Sequence, residues 1–144
     1  MSTYQADQSY IDKGMAFQKF ICEYFGLVDY KTASEQYDIG ETKFGVEIKF
    51  DDILEMTGNL WIEIAEKRFT TNPDWIDSGI NKNDNSWLYL IGNYNEAFCF
   101  SKKQLKSMLE MEMVEVRENK AATSKGFLLS KEKALSYCLT YWQF

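Results

Sequence analysis

Two charged residues, Glu47 and Lys49, occupy the same side of a short segment that alternates as a β-strand does. Residues 44–50, FGVEIKF, place four apolar side chains on one face and this pair on the other, because successive side chains of a strand point to opposite faces. A carboxylate and an ammonium group so placed can bind a divalent cation and stabilise negative charge on a phosphate. The simpler alternative is a solvent-exposed ion pair worth about 0–1 kcal/mol.

The preceding segment is predicted to supply a second carboxylate, that of Asp38. Residues 35–39 and 43–50 are interpreted as the two strands of a hairpin, in a register that sets Asp38 directly opposite Glu47. Like charges so paired are destabilising, and a divalent cation would reverse that interaction. Asp38 and Glu47 are therefore predicted to hold one Mg²⁺ or Mn²⁺ ion, while Lys49 binds the attacking water or the transition-state charge. The alternative for Asp38 is a turn-forming role.

The composition narrows the chemistry further. The chain has no histidine, which removes Ser-His and Cys-His nucleophile pairs and histidine ligands for zinc. Its three cysteines, Cys22, Cys99 and Cys138, form neither a disulfide framework nor a CxxC metal motif. Catalysis would therefore depend on carboxylates, lysines, hydroxyls and a hard metal ion. The net charge of −6 argues against a broad basic surface for nucleic acid but leaves a local patch open.

The chain is expected to be cytoplasmic. No apolar run approaches the ~20 residues that a membrane-spanning helix needs, and the first residues lack the layout of a secretory signal. The odd cysteine count agrees with a reducing compartment. No membrane partner is predicted.

The 144 residues predict one mixed α/β (α+β) domain spanning residues 1–144. Serines at 101 and 130 are predicted to cap the second and third helices, and the sequence NYNE is predicted to turn a hairpin. In chain order the predicted elements are a helix at 7–25, strands at 35–39, 43–50 and 59–65, a loop at 68–86, two hairpin strands at 86–92 and 97–100, a helix from 102, strands at 113–118 and 126–129, and a last helix from 131.

The arrangement of Asp38 followed by Glu47-Ile48-Lys49 resembles the PD-(D/E)XK nuclease superfamily, which has the restriction-endonuclease-like fold. Tyr37 stands where the motif's name has proline. The opening segment KGMAFQKFICEYFG is similar to that superfamily's first helix, with Gln18 where many members carry a glutamate, which weakens the case for a second metal ion. The segments TGNLWIEI and SGINKNDNSWLYLI resemble a phage and bacterial subset of these proteins. These similarities cover roughly residues 10–110.

The resemblance implies a central mixed β-sheet flanked by helices and a magnesium- or manganese-dependent nuclease acting on nucleic acid, with DNA as the expected substrate. The implied catalytic residues are Asp38, Glu47 and Lys49, of which the two acids bind the metal. Many members dimerise to cut both strands, so a homodimer stays open. Two other hypotheses remain: an acidic DNA mimic or inhibitor, and an inactive nuclease-fold scaffold.

Overall fold

The computed structural model describes residues 8–67 and 73–144. The helices are α1 (Gln8–Phe25), α2 (Ala33–Asp38), α3 (Leu54–Thr57), α4 (Lys102–Glu110) and α5 (Lys131–Tyr137), with a 3-10 turn at Gly79–Asn81. The strands are β1 (Val46–Phe50), β2 (Asn59–Glu66), β3 (Ile76–Asp77), β4 (Leu88–Gly92), β5 (Glu96–Ser101), β6 (Arg117–Glu118), β7 (Ser124–Ser130) and β8 (Thr140–Gln143). Within these ranges no helix is both long and apolar enough to cross a membrane.

The strands form two four-stranded sheets rather than one. The first, which we call the mixed sheet, has the order β1-β4-β5-β8, with β1 parallel to β4 and the other pairs antiparallel. The second, which we call the antiparallel sheet, has the order β3-β2-β7-β6. The predicted mixed α/β class is confirmed, including a mixed sheet flanked by helices. The second sheet was not predicted.

Strand β1 separates two hydrophobic clusters. Val46 and Ile48 pack with Phe17 and Ile21 of α1 on one side of the mixed sheet. On its other side, residues from both sheets share a single cluster. The predicted alternation is therefore confirmed from Val46 onward, but the opposite face of β1 looks toward the antiparallel sheet instead of open solvent. Phe44 was wrongly assigned to the apolar face, since it lies before the strand and is exposed.

Residues 35–38 are helical and Ile39 is the C-cap of α2, so the predicted strand at 35–39 and the hairpin built on it are wrong. Thr32 caps α2: its hydroxyl accepts a hydrogen bond from the Glu35 amide (3.1 Å), and the Glu35 carboxylate accepts one from the Thr32 amide (3.2 Å). This reciprocal capping box is written in the sequence as T-x-x-E and favours a helix start. Because α2 forms there, β1 takes β4 as its partner and Asp38 does not face Glu47 across a ladder.

Local turn and cap signals predicted the second half of the chain well. The hairpin of β4 and β5 is present, and the hydroxyls of Ser101 and Ser130 cap α4 and α5 by accepting hydrogen bonds from Gln104 and Lys133 amides. Strand β6 is shorter than predicted, and β8 and the short β3 were missed. Part of the predicted loop at 68–86, residues 68–72, lies outside the described residues.

A buried lysine holds the loop that precedes β4. The Lys102 ammonium donates hydrogen bonds to the Lys82 carbonyl (2.9 Å), the Asp84 carboxylate (3.2 Å) and the Ser86 hydroxyl (2.7 Å). The Lys102 and Asp84 side chains are both nearly inaccessible to solvent. Burial would raise the pKa of Asp84, but the hydrogen bonds from Ser86 and the Lys102 charge outweigh it and lower that pKa. Residues 82–86 are thereby fixed from beneath.

We expect Lys102→Met to cost about 3–5 kcal/mol of unfolding free energy, because it leaves Asp84 buried without its counter-charge. Urea denaturation at pH 7 measures this cost. Lys103→Met is the matched control, since Lys103 is the next residue of α4 and is exposed. Equal midpoints for the two variants would contradict a stabilising role for the buried pair.

Candidate active site

An acidic cavity of about 330 Å³ opens between the two sheets at the β1 edge. Six carboxylates and two lysines line it, so the lining carries four excess negative charges when every group is ionised. The eight charged residues are Asp38, Glu41, Glu47, Glu63, Glu66, Asp77, Lys49 and Lys82; the uncharged ones are Tyr37, Ser78, Gly79 and Asn83. All three predicted catalytic residues therefore line one cavity.

Glu47 is the most buried of these carboxylates. It is 2 % exposed, and its Oε2 atom has no hydrogen-bond partner among the described residues. Burial raises the pKa of Glu47 from its ordinary 4.5 to about 7, with Lys49 acting in the opposite direction. Since buried polar atoms are nearly always partnered, this unpartnered oxygen indicates a binding position for a positively charged ligand.

Lys49 lies two residues along β1, with 34 % of its side chain exposed. Its Nζ atom is 3.8 Å from Glu41 Oε1. Burial lowers the pKa of Lys49, but the carboxylates of Glu47 and Glu41 outweigh this and hold it well above its usual value. Lys49 is therefore an ammonium group at neutral pH, suited to donating hydrogen bonds and balancing charge rather than to accepting a proton.

Glu41 was not among the predicted site residues. It lies after α2, and its Oε2 atom accepts a hydrogen bond from the Ile48 amide of β1 (2.7 Å), which fixes the side chain beside Lys49. The sequence signal was present, because Glu41 belongs to the group of acids that precedes and follows β1. In the incorrect hairpin interpretation Glu41 lies next to the turn, and Asp38 takes the position opposite Glu47.

Asp38 lines the same cavity from the end of α2 instead of from a neighbouring strand. It is exposed, and its Oδ2 atom accepts a hydrogen bond from Ser34 Oγ (3.4 Å). Across residues 8–67 and 73–144, no three carboxylate or thiol side chains stand close enough to share a metal ion. Asp38, Glu41 and Glu47 would therefore have to rotate toward a common point to ligate one.

A β-bulge explains why Glu63 and Glu66 both face the cavity although they are three residues apart on β2. The pairing of β2 with β7 shifts register between Glu63 and Ala65, and such an extra residue reverses the side-chain alternation beyond it. Ser124 Oγ donates a hydrogen bond to Glu63 Oε1 (2.7 Å). The bulge has no signature in the sequence, and neither Glu63 nor Glu66 is among the predicted site residues.

The 3-10 turn closes the cavity against β2. Gly79 has φ +54°, and a Cβ atom there would lie 2.0 Å from the Glu63 carbonyl oxygen, so only glycine fits. The adjacent Ser78 is buried, and its hydroxyl has no hydrogen-bond partner among the described residues. Two unpartnered oxygens, those of Glu47 and Ser78, thus belong to residues that line this cavity.

Gln18 lies on the α1 side of the same strand edge. It lines a second cavity of about 320 Å³ together with Glu41 and Lys49, and its side chain donates a 3.5 Å hydrogen bond to Gln36. Lys49 and Glu41 therefore line a cavity on each side of β1. Gln18, which stands where the resembled superfamily often has a glutamate, lines the second of these cavities.

Comparisons of the chain with protein-family models, with curated proteins and with solved structures find no match. The similarity to the PD-(D/E)XK superfamily therefore stays a prediction from the motif residues Asp38, Glu47 and Lys49.

Proposed function

We propose that this protein is a metal-dependent nuclease that hydrolyses phosphodiester bonds in DNA. The observation that carries the proposal is the pair Glu47 and Lys49 on β1, which faces an acidic cavity and includes a buried carboxylate oxygen without a partner. A purely structural ion pair would not require five further carboxylates around the same space.

The residues present fit a hard divalent cation. The donor atoms are carboxylate oxygens, the ligands that Mg²⁺ and Mn²⁺ prefer, and the unpartnered Glu47 Oε2 offers one of them. Glu47, Asp38 and Glu41 would hold the ion. A bound divalent cation supplies Lewis-acid polarisation of the scissile phosphate and a lowered pKa for the attacking water.

Lys49 performs the charge-stabilising part of the reaction. Its ammonium stays protonated because neighbouring carboxylates raise its pKa, so it donates a hydrogen bond to a non-bridging phosphate oxygen and balances the charge that develops there. The contact with Glu41 limits the positions of this group. Glu41 itself is held by the Ile48 amide, which makes it a positioning residue for Lys49 as well as a ligand candidate.

The placement of the acids favours a nuclease over an acidic mimic of DNA. A mimic would present carboxylates on a convex exposed face, whereas six of the 22 acids here line a concave cavity between sheets. Charge gathered inside a cavity binds a small cation better than it covers a basic groove.

The proposal is tested with purified protein on supercoiled plasmid, single-stranded, branched and RNA substrates. We expect cleavage of DNA with Mg²⁺ or Mn²⁺ and none in excess EDTA. Asp38→Asn and Glu41→Gln should each weaken Mn²⁺ binding, measured calorimetrically, by at least about 10- to 100-fold, since even residues that only orient metal ligands cost that much. Glu110→Gln, an exposed acid at the end of α4, is the control.

Each contrary result has a defined meaning. Normal metal binding by Asp38→Asn with impaired binding by Glu41→Gln would remove Asp38 from the site and leave Glu47 and Glu41 as the ligands. Absence of cleavage with every metal and substrate would overturn the nuclease, and tight binding to a basic DNA-binding protein would then support the mimic.

A further inference from the structure

Three large aromatic side chains are exposed at the acidic cavity or on the chain segments that adjoin its lining residues. Tyr37 is 62 %, Phe44 60 % and Trp87 56 % accessible to solvent. Tyr37 itself lines the cavity. Exposed aromatic rings grouped around a polar site are typical of recognition surfaces, because leaving them in water is unfavourable without a partner.

Phe44 and Trp87 form a fixed pair. The Trp87 indole nitrogen donates a hydrogen bond to the Phe44 carbonyl (2.9 Å), and the two ring centroids lie 5.8 Å apart at 57°. Gly45 between strand and turn has φ +90°, and a Cβ atom there would lie 2.6 Å from the indole ring. The glycine thus permits the close approach, and the indole is held in place while its surface stays open.

Tyr37 of α2 lies beside the start of the loop at residues 82–87, and Trp87 lies at its end. Residues 82–87 run from Lys82, whose ammonium lies 4.6 Å from the Tyr37 ring centroid, to Trp87. Six residues span at most about 20 Å. The Asn85 side chain donates a hydrogen bond to the Thr42 carbonyl (2.8 Å), and the buried Lys102 holds the loop from beneath. The rings are therefore positioned before any ligand arrives.

We propose that this aromatic rim, formed by Tyr37, Phe44, Trp87 and Lys82, binds an unpaired DNA strand and delivers its backbone to the acidic cavity. Single-stranded nucleic acid is bound by aromatic rings on which bases stack, together with cations that contact phosphates. Lys82 and the exposed Lys43, which adjoins Phe44, supply those cations. The identification of the strand as DNA rests on the proposed nuclease function.

The rim is continuous with the cavity, which favours a strand over other partners. Tyr37 and Lys82 belong to both, so a base stacked on Tyr37 leaves an adjacent phosphate at the cavity that Lys49 and Glu47 also line. Bases within a duplex are stacked on each other and offer no free face to these rings. The rim therefore selects unpaired strands or frayed ends.

The test measures equilibrium binding of a fluorescein-labelled 12-nucleotide DNA single strand by anisotropy, in EDTA so that no hydrolysis occurs. Trp87→Ala and Phe44→Ala should each weaken binding by about 5- to 100-fold, the range for loss of one stacked base. Tyr24→Ala is the control, because it removes a ring of matching exposure, 57 %, from α1. Trp87→Phe keeps a ring and should retain binding, which separates lost stacking from a folding defect.

Binding to a duplex of the same sequence should be at least about tenfold weaker. Equal affinity for duplex and single strand, or Trp87→Ala binding no worse than Tyr24→Ala, would overturn the rim even if metal-dependent cleavage is found. Tighter binding to the matching RNA strand would overturn its assignment to DNA. Rim-dependent binding of single-stranded DNA by a protein that cleaves no substrate would support the rim while the proposed nuclease fails.

Discussion

Lys49→Ala is expected to reduce DNA cleavage by about 10²–10³-fold, the usual loss when one well-placed group that stabilises transition-state charge is removed. Metal binding should persist, because Lys49 contributes no carboxylate oxygen. The effect should fall on the rate constant of the chemical step with either Mg²⁺ or Mn²⁺, since the ammonium acts on the phosphate and remains protonated at neutral pH. Plasmid nicking under single-turnover conditions measures it.

The matched control is Lys103→Ala, which removes an exposed lysine of α4 away from the cavity. Equal cleavage by wild type and Lys49→Ala would assign the activity to a contaminant or to another site. The stability cost of Lys49→Ala should exceed the ~0.5 kcal/mol of an open surface position, because the substitution leaves the Glu41 and Glu47 carboxylates without their shared cation. Saturating Mn²⁺ should recover that loss if the ion binds there.

Local sequence signals predicted the elements whose partners lie nearby. The alternation of β1, the β4–β5 hairpin and the serine caps of α4 and α5 each depend on a few consecutive residues. The error at residues 35–39 is of another kind, because the segment was interpreted as the first strand of a hairpin although a T-x-x-E capping box begins at Thr32. A six-residue helix leaves little periodicity to detect, so its cap was the better guide.

Of the candidate site, strand geometry predicted only that Glu47 and Lys49 share one face of β1. Period-2 alternation sets Glu47 and Lys49 on one face whatever surrounds them. Whether that face meets solvent depends on the packing of the antiparallel sheet against it, in which β2 and β7 pair residues that lie 58 to 71 positions apart in the chain. Glu41 and Glu66 join the cavity through a turn and a bulge, and neither is encoded by hydrophobic pattern. The burial of this face and the full set of cavity residues therefore depend on long-range pairing, which local sequence patterns do not predict.

Glu47→Gln is expected to remove a pH-dependent weakness of the metal-free protein. The folded-state pKa of about 7 lies above the ordinary 4.5, so the folded protein holds this proton more tightly than the unfolded chain. The associated stability is complete below pH ~4.5, falls as the pH rises toward 7 and stays lost above it. The 2.5-unit difference between those two values corresponds to about 3 kcal/mol at 1.36 kcal/mol per unit.

Urea denaturation gives the free energy of unfolding of both metal-free proteins at pH 4.5 and pH 8. The quantity of interest is how the difference between wild type and Glu47→Gln changes between the two pH values, because the cost of a buried amide is the same at both and cancels. That difference should move by about 3 kcal/mol in favour of the variant at pH 8, whereas Glu110→Gln should follow the wild type. Mn²⁺ at about 100 times its Kd should return about 2.7 kcal/mol to the wild type at pH 8 and little to Glu47→Gln. Parallel pH curves for wild type and Glu47→Gln would mean that burial does not raise the pKa of Glu47. The case for a cation at its unpartnered oxygen would then fall too, because the buried negative charge that destabilises the metal-free protein is the charge that would bind the ion.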